Sequence, residues 1–103
     1  MNDPVLQVKP TELKKWMDAS ADIELIDVRE QHEHHEFNIG GRLVPLGEVM
    51  QQADTIPKHR KVILYCKLGI RSQIAIQRLQ DRFGFNNLLN LKGGIEAWKR
   101  EIK

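Results

Sequence analysis

The residues most able to do chemistry lie in one short stretch, Cys66-Lys67-Leu68-Gly69-Ile70-Arg71-Ser72. Cys66 is the only cysteine of the chain. A loop that leads into a helix leaves backbone N–H groups without intrahelical partners. Those groups, with the positive end of the helix dipole, favour an anion. Gly69 gives the loop access to backbone angles at which successive N–H groups converge into a nest. A cysteine at the mouth of such a nest has its thiolate, the nucleophilic form, stabilised. Lys67 adds positive charge, and Arg71 can grip an oxyanion with a two-pronged hydrogen bond. A lone cysteine is often only a small buried hydrophobe. Here the order strand, Cys, Gly, Arg, Ser, helix points to chemistry instead.

The elements that must position this loop are legible on both sides. Val62-Ile63-Leu64-Tyr65 is a short apolar, β-rich run, as in a strand of a parallel sheet covered on both faces. From about Ser72 the period becomes helical, with Ile76, Leu79 and Phe83 on one face and Ile74 and Ala75 widening it. Gly84 is placed to end that helix.

Upstream, Val5 to Val8 reads as a first strand, and Pro10 and Glu12 suit the first turn of a helix with an apolar stripe at Leu13, Trp16 and Met17. Trp16 is expected in the core. Ile23 to Val28 forms a second strand that brings Asp27 and Arg29 to its carboxyl end. In open α/β sheets ligands gather at that rim, so Asp27 and Cys66 are expected on the same side. For Asp27 a structural role, bonding loop N–H groups or an arginine, is preferred to proton transfer.

His32, Glu33, His34, His35 and Glu36 invite a metal hypothesis, but neither HExxH spacing nor a distant Cys/His pair completes a site, and no metal is expected. Leu43-Val44 suits a short strand. Leu46, Val49, Met50 and Ala53 then predict an amphipathic helix ending before Pro57. Asn87 to Leu91 is a last strand. Gly93-Gly94 turns into a final helix with Ile95, Trp98 and Ile102 on one face, and Trp98 pins it to the sheet.

With 103 residues the chain is expected to form one domain over 1–103. A net charge of +2, with basic residues scattered, argues against nucleic-acid or membrane partners. Met1-Asn2-Asp3-Pro4 lacks the basic and apolar pattern of a leader. A single cysteine forms no internal disulfide, and a reactive thiol suits a reducing compartment, so the expected location is cytoplasmic.

Three segments together resemble the rhodanese-like sulfurtransferase domains. They are the Cys66–Ser72 loop, Leu25-Ile26-Asp27-Val28-Arg29-Glu30, and Leu91-Lys92-Gly93-Gly94-Ile95-Glu96-Ala97-Trp98. The resemblance implies a three-layer α/β fold with a parallel sheet of about five strands flanked by helices. It implies Cys66 as catalytic residue, with Lys67, Leu68, Gly69, Ile70 and Arg71 binding substrate. Asp27, Arg29 and Ser72 are supporting residues, the first two as organisers of the loop. The His-rich segment aligns with a short surface helix. No cofactor is implied. The donor is a small anionic sulfur compound such as thiosulfate, or a persulfide. The acceptor is a thiol, cyanide or a protein. The segment Asn38 to Leu46 departs from the family pattern GHIPGAxxIP, with Asn38 for the histidine, Gly40 for the proline and one residue fewer before Pro45, which predicts a different path beside the site.

Two alternatives stand beside this reading. Cysteine phosphatases and arsenate reductases use similar parts, but they typically place five residues between Cys and Arg, and here there are four, Lys67 to Ile70. A carrier domain that hands sulfur to a ubiquitin-like protein, for molybdopterin or tRNA thiolation, uses the same loop with a protein acceptor.

Overall fold

The structure is a computed structural model that describes residues 4–103. The leader reading falls mainly on residues 1–3, outside the described residues. Five strands form one parallel sheet: β1 (Leu6–Val8), β2 (Ile23–Asp27), β3 (Arg42–Leu43), β4 (Lys61–Tyr65) and β5 (Leu88–Leu91), in the order β1-β5-β4-β2-β3. Four helices flank them: α1 (Pro10–Asp18), α2 (Gln31–Glu36) and α3 (Ile70–Phe83) between strands, and α4 (Gly94–Glu101) after β5. This is the expected three-layer α/β arrangement.

β4 is central because its side chains are apolar on both faces. Val62, Leu64 and Cys66 point into one cluster with Ala75, Ile76 and Leu79 of α3. Ile63 and Tyr65 point into the other, with Leu13 of α1 and Ile95 and Trp98 of α4. The alternation is that of a strand. Val62 through Tyr65 are fully buried, which for the three aliphatic side chains is worth roughly 1.5–3 kcal/mol each. The register then fixes the rim: Asp27 lies opposite Tyr65, and Leu64 lies opposite Asn90. Cys66 therefore leaves the sheet between the carboxyl ends of β2 and β5, where parallel sheets gather ligands.

Several elements differ from the sequence expectations. Ser72 does not start α3; the helix begins at Ile70, with Gly69 at its N-cap in the left-handed region (φ 89°). The helix expected over Leu46 to Ala53 is instead two 3₁₀ turns, Leu46–Glu48 and Ala53–Thr55. Of its apolar residues Val49 and Ala53 are buried in the α3-side cluster, joined there by Ile56, while Leu46 and Met50 pack partly buried against it. Gly47 lowers helix propensity, and Pro57 holds Ile56 in extended backbone. Trp16 is only half buried, packed at the margin of its cluster, with the Lys61 ammonium 4.4 Å from its ring centroid. Trp98 lies in the core as expected.

The loop from Asn38 to Leu46 is held by backbone crossing the sheet edge. Val44 N–H donates to Asp27 O at 2.8 Å, and Leu46 N–H to Val28 O at 3.0 Å. The Tyr65 hydroxyl donates to Gly40 O at 2.9 Å. Gly41 sits at φ 83°, where a Cβ would stand 2.5 Å from Leu25 Cβ and 2.6 Å from its carbonyl carbon. Both the backbone angle and the contact exclude a side chain there. Gly41→Ala is expected to lower unfolding stability by about 3 kcal/mol or more, read by urea denaturation. A loss under about 0.5 kcal/mol would show that the loop relaxes freely.

Candidate active site

The sulfur of Cys66 sits inside the loop that its own chain makes. Gly69 N–H donates to Sγ at 3.1 Å, and Ser72 N–H at 3.4 Å. Ser72 Oγ lies 3.3 Å from the same atom. Cys66 is 1% exposed and lines a cleft of about 260 Å³ with Lys67, Leu68, Ile70 and Arg71.

The N–H groups face the sulfur because the carbonyls are drawn the other way. Ile95 N–H, in the first turn of α4, donates to Cys66 O at 2.9 Å. Glu96 N–H donates to Lys67 O at 3.1 Å. Gly69 O accepts from the carboxamide of Asn90 at 3.1 Å. The unsatisfied N–H groups of one helix thus satisfy the carbonyls of the loop that starts another. Gly94 permits the approach: a Cβ there would lie 2.5 Å from Cys66 O.

Around this loop the charges come in pairs. Arg71 does not stand free over the cleft. Its guanidinium is gripped two-pronged by Glu33 of α2, at 2.7 and 2.9 Å. The Arg71 hydrogen bonds hold the Glu33 carboxyl down at about 2, and Glu33 in turn raises Arg71. Asp27 is fully buried and accepts from Arg29 N–H at 3.0 Å and from its guanidinium at 2.9–3.2 Å. Burial pushes Arg29 down, but the hydrogen bond and charge of Asp27 more than offset it and leave Arg29 raised. Arg29 also donates to Phe37 O. Burial, then the Asp27 charge, push the Tyr65 phenol above its ordinary value.

The structure therefore brings Cys66, Gly69 and Ser72 together at one atom and sets Lys67, Leu68, Ile70 and Arg71 at the mouth. Asp27 and Arg29 stand behind it as a buried pair. Leu68 and Ile70 are 56% and 63% exposed. Of the His-rich segment, His34 Nδ1 lies 2.9 Å from Asp27 Oδ2, and Glu33 holds Arg71. Among the described residues no group of three His, Cys, Asp or Glu is placed to hold a metal ion. The sequence reading missed Glu33 as the partner of Arg71, 38 residues away, and Asn90 altogether. Its one local clue to Glu33 was the capping box in which Glu33 Oε1 accepts from Glu30 N–H at 3.1 Å.

The Glu33–Arg71 pair makes acid stability testable. The folded-state value of Glu33 is depressed to about 2 from an ordinary 4.5. Its contribution is complete above about pH 4.5 and is lost as pH falls toward 2. Arg71 is about one-third exposed, so screening limits the pair to roughly 1 kcal/mol. Glu33→Gln is expected to be less stable than the native chain at pH 6 by that amount, with the gap narrowing below about pH 4.5 and closing only as pH falls to about 2 in urea titrations. A gap independent of pH would rule out the carboxylate as its source.

Comparison with known proteins agrees with this geometry. The chain matches the rhodanese-like domain family over residues 9–101. It is 33% identical over 99 residues to the probable adenylyltransferase/sulfurtransferase MoeZ of Mycobacterium tuberculosis, covering 93% of this chain but only 25% of that protein. It is also 33% identical to a sulfurtransferase of Allochromatium vinosum, covering 93% of this chain and 90% of the relative. A rhodanese-like domain protein from Staphylococcus aureus superposes with a TM-score of 0.82 at 23% identity, over 91% of both chains, a likeness of fold. The chain belongs to the rhodanese-like domain family.

Proposed function

We propose that this protein is a sulfurtransferase that carries sulfur as a persulfide on Cys66, acting as one domain without metal or organic cofactor. The observation that carries the reading is the convergence of Gly69 N–H and Ser72 N–H on Sγ beside an open cleft. These donors favour negative charge on the sulfur. In the first half-reaction the thiolate attacks the outer sulfur of thiosulfate. The new bond joins Sγ to that sulfur, the old S–S bond breaks, and sulfite leaves with the electron pair. In the second, cyanide or a thiol attacks the outer sulfur and the Cys66 thiolate departs. The cycle is ping-pong. Lys67 and Arg71 attract the anionic donor to the cleft, and Arg71 shares its guanidinium between the donor and Glu33.

A second reading has specific support. Leu68 and Ile70 ring the mouth with exposed apolar surface, which suits a protein acceptor better than cyanide. The adenylyltransferase/sulfurtransferase relative, of which this chain spans a quarter, carries the matched segment within a longer protein. In that case transfer to small acceptors is slow and the physiological acceptor is a protein, such as a ubiquitin-like carrier. A compartment with a reducing environment fits either reading; no helix among the described residues is long and apolar enough to cross a membrane.

Mass spectrometry after incubation with thiosulfate is expected to show one added sulfur, removed by cyanide. A Cys66→Ser protein that still accumulates the adduct would sink the reading. Arg71→Ala is expected to raise the KM for thiosulfate about tenfold, the worth of one charged hydrogen bond, with Arg71→Lys only partly restoring it. Native kinetics in Arg71→Ala would remove Arg71 from donor binding.

A further inference from the structure

Asn90 is buried in β5, 2% exposed, and its carboxamide has three partners around the active loop. Its Nδ2 donates to Gly69 O at 3.1 Å and to Gln7 Oε1 at 3.0 Å. Its Oδ1 faces Ser72 Oγ in a short contact. The orientation of the amide is fixed by chemistry. A carbonyl oxygen such as Gly69 O only accepts, so the atom beside it is the nitrogen. Oδ1 then only accepts, so the single hydroxyl proton of Ser72 is given to Asn90. That leaves Ser72 Oγ with lone pairs toward Cys66 Sγ, 3.3 Å away. A Cys66 thiol suits this, since its S–H can donate to Ser72 Oγ. A Cys66 thiolate does not, since two lone-pair surfaces then face each other. The thiolate and Asn90 compete for one proton.

We propose that Asn90 is a positioning residue that governs the Ser72 hydroxyl, holding its proton away from the Cys66 sulfur at rest and yielding it as a third donor when the sulfur becomes anionic. No proton changes owner in this step. The O–H bond rotates about the Ser72 side chain, one hydrogen bond to Asn90 Oδ1 breaks, and one to Sγ forms. Because Asn90 still competes for that proton, the hydroxyl bonds the native thiolate less strongly than it would without Asn90, and the thiolate is the better nucleophile for it. The inference rests on the reading of Cys66 as the sulfur-carrying nucleophile.

Other charged groups surround the loop: Lys67 and Arg71 line the cleft with Cys66, Glu33 of α2 holds Arg71, and the Asp27–Arg29 pair lies at the end of β2 with His34 on Asp27. Glu96 and Lys99 of α4 border the adjoining cleft with Lys67. A substitution at Asn90 leaves all of them in place, so a comparison among Asn90 and Ser72 variants isolates the hydroxyl.

The test is the rate of iodoacetamide alkylation against pH in the native chain, Asn90→Leu, Ser72→Ala and the double variant. Asn90→Leu leaves the buried Ser72 hydroxyl with the sulfur as its acceptor. The midpoint of alkylation is expected to fall by about one pH unit, the worth of a hydrogen bond to a charged group. The plateau rate is expected to fall about threefold, as nucleophilicity follows basicity. In the Ser72→Ala background, where only the loss of the Asn90–Gly69 O bond is left to act, the same change at Asn90 is expected not to lower the midpoint. A midpoint that rises, stays put, or falls equally in the Ser72→Ala background overturns the proposal.

A second measurement needs no variant at position 90. The carboxamide 13Cγ resonance of Asn90 is expected to titrate with Cys66, and to lose that titration in Ser72→Ala. A resonance indifferent to the ionisation of Cys66 overturns the proposal too. Neither readout requires sulfur transfer. A missing persulfide adduct therefore counts against the function alone, and a silent Asn90 counts against this inference alone.

Discussion

The site depends on where four backbone amides send their hydrogen bonds. A loop of ordinary shape would present a mixture of carbonyls and N–H groups to the sulfur, and the two would cancel. Here Ile95 N–H and Glu96 N–H take the carbonyls of Cys66 and Lys67, so Gly69 N–H and Ser72 N–H are left to face Sγ. The bond is helix end against loop, and each supplies what the other lacks. Gly94 permits it by having no side chain, and β4 and β5, paired through Leu64 and Asn90, bring the two ends into range. The sheet, the two apolar layers and the left-handed Gly69 all serve that juxtaposition.

The electrostatics follow the same economy. Three charged groups with formal power over an anion, Arg71, Arg29 and Asp27, are each tied to an opposite charge. The Asp27–Arg29 pair is buried, where a lone charge would be costly and a paired one is tolerable. Removing either partner would leave the other stranded at the base of the loop. What remains for the sulfur is a set of fixed dipoles, with Lys67 as an exposed charge at the rim. Fixed dipoles need no reorganisation when charge appears on the atom they face.

Much of this was legible in the chain because it is local. The Cys66–Ser72 loop needs only a strand before it, a helix after it and a glycine inside, and all three are written in consecutive residues. Asp27 and Arg29 could be placed on the same rim because parallel strands put their carboxyl ends together. The contacts that cross the fold were not legible. Glu33 reaches Arg71 from another helix, and Asn90 reaches Ser72 from the neighbouring strand. A glutamate among histidines and an asparagine among leucines carry no local mark of such roles. The segment from Leu46 to Ile56 failed differently. Burial at Val49, Ala53 and Ile56 has helical spacing, but 3₁₀ turns bury the same residues, and periodicity cannot separate the two.

The dependence of the loop on α4 sets an order of assembly. Residues that shape the sulfur's surroundings arrive in sequence: Cys66 first, Asn90 24 positions later, and Ile95 and Glu96 after that. During synthesis the thiol leaves the ribosome long before the amides that orient its loop. In that interval Cys66 stands on a loop whose carbonyls can still face inward. The two N–H groups are held on its sulfur only when the last helix docks, so the surroundings of the thiol are completed late, with a folded surface already around it.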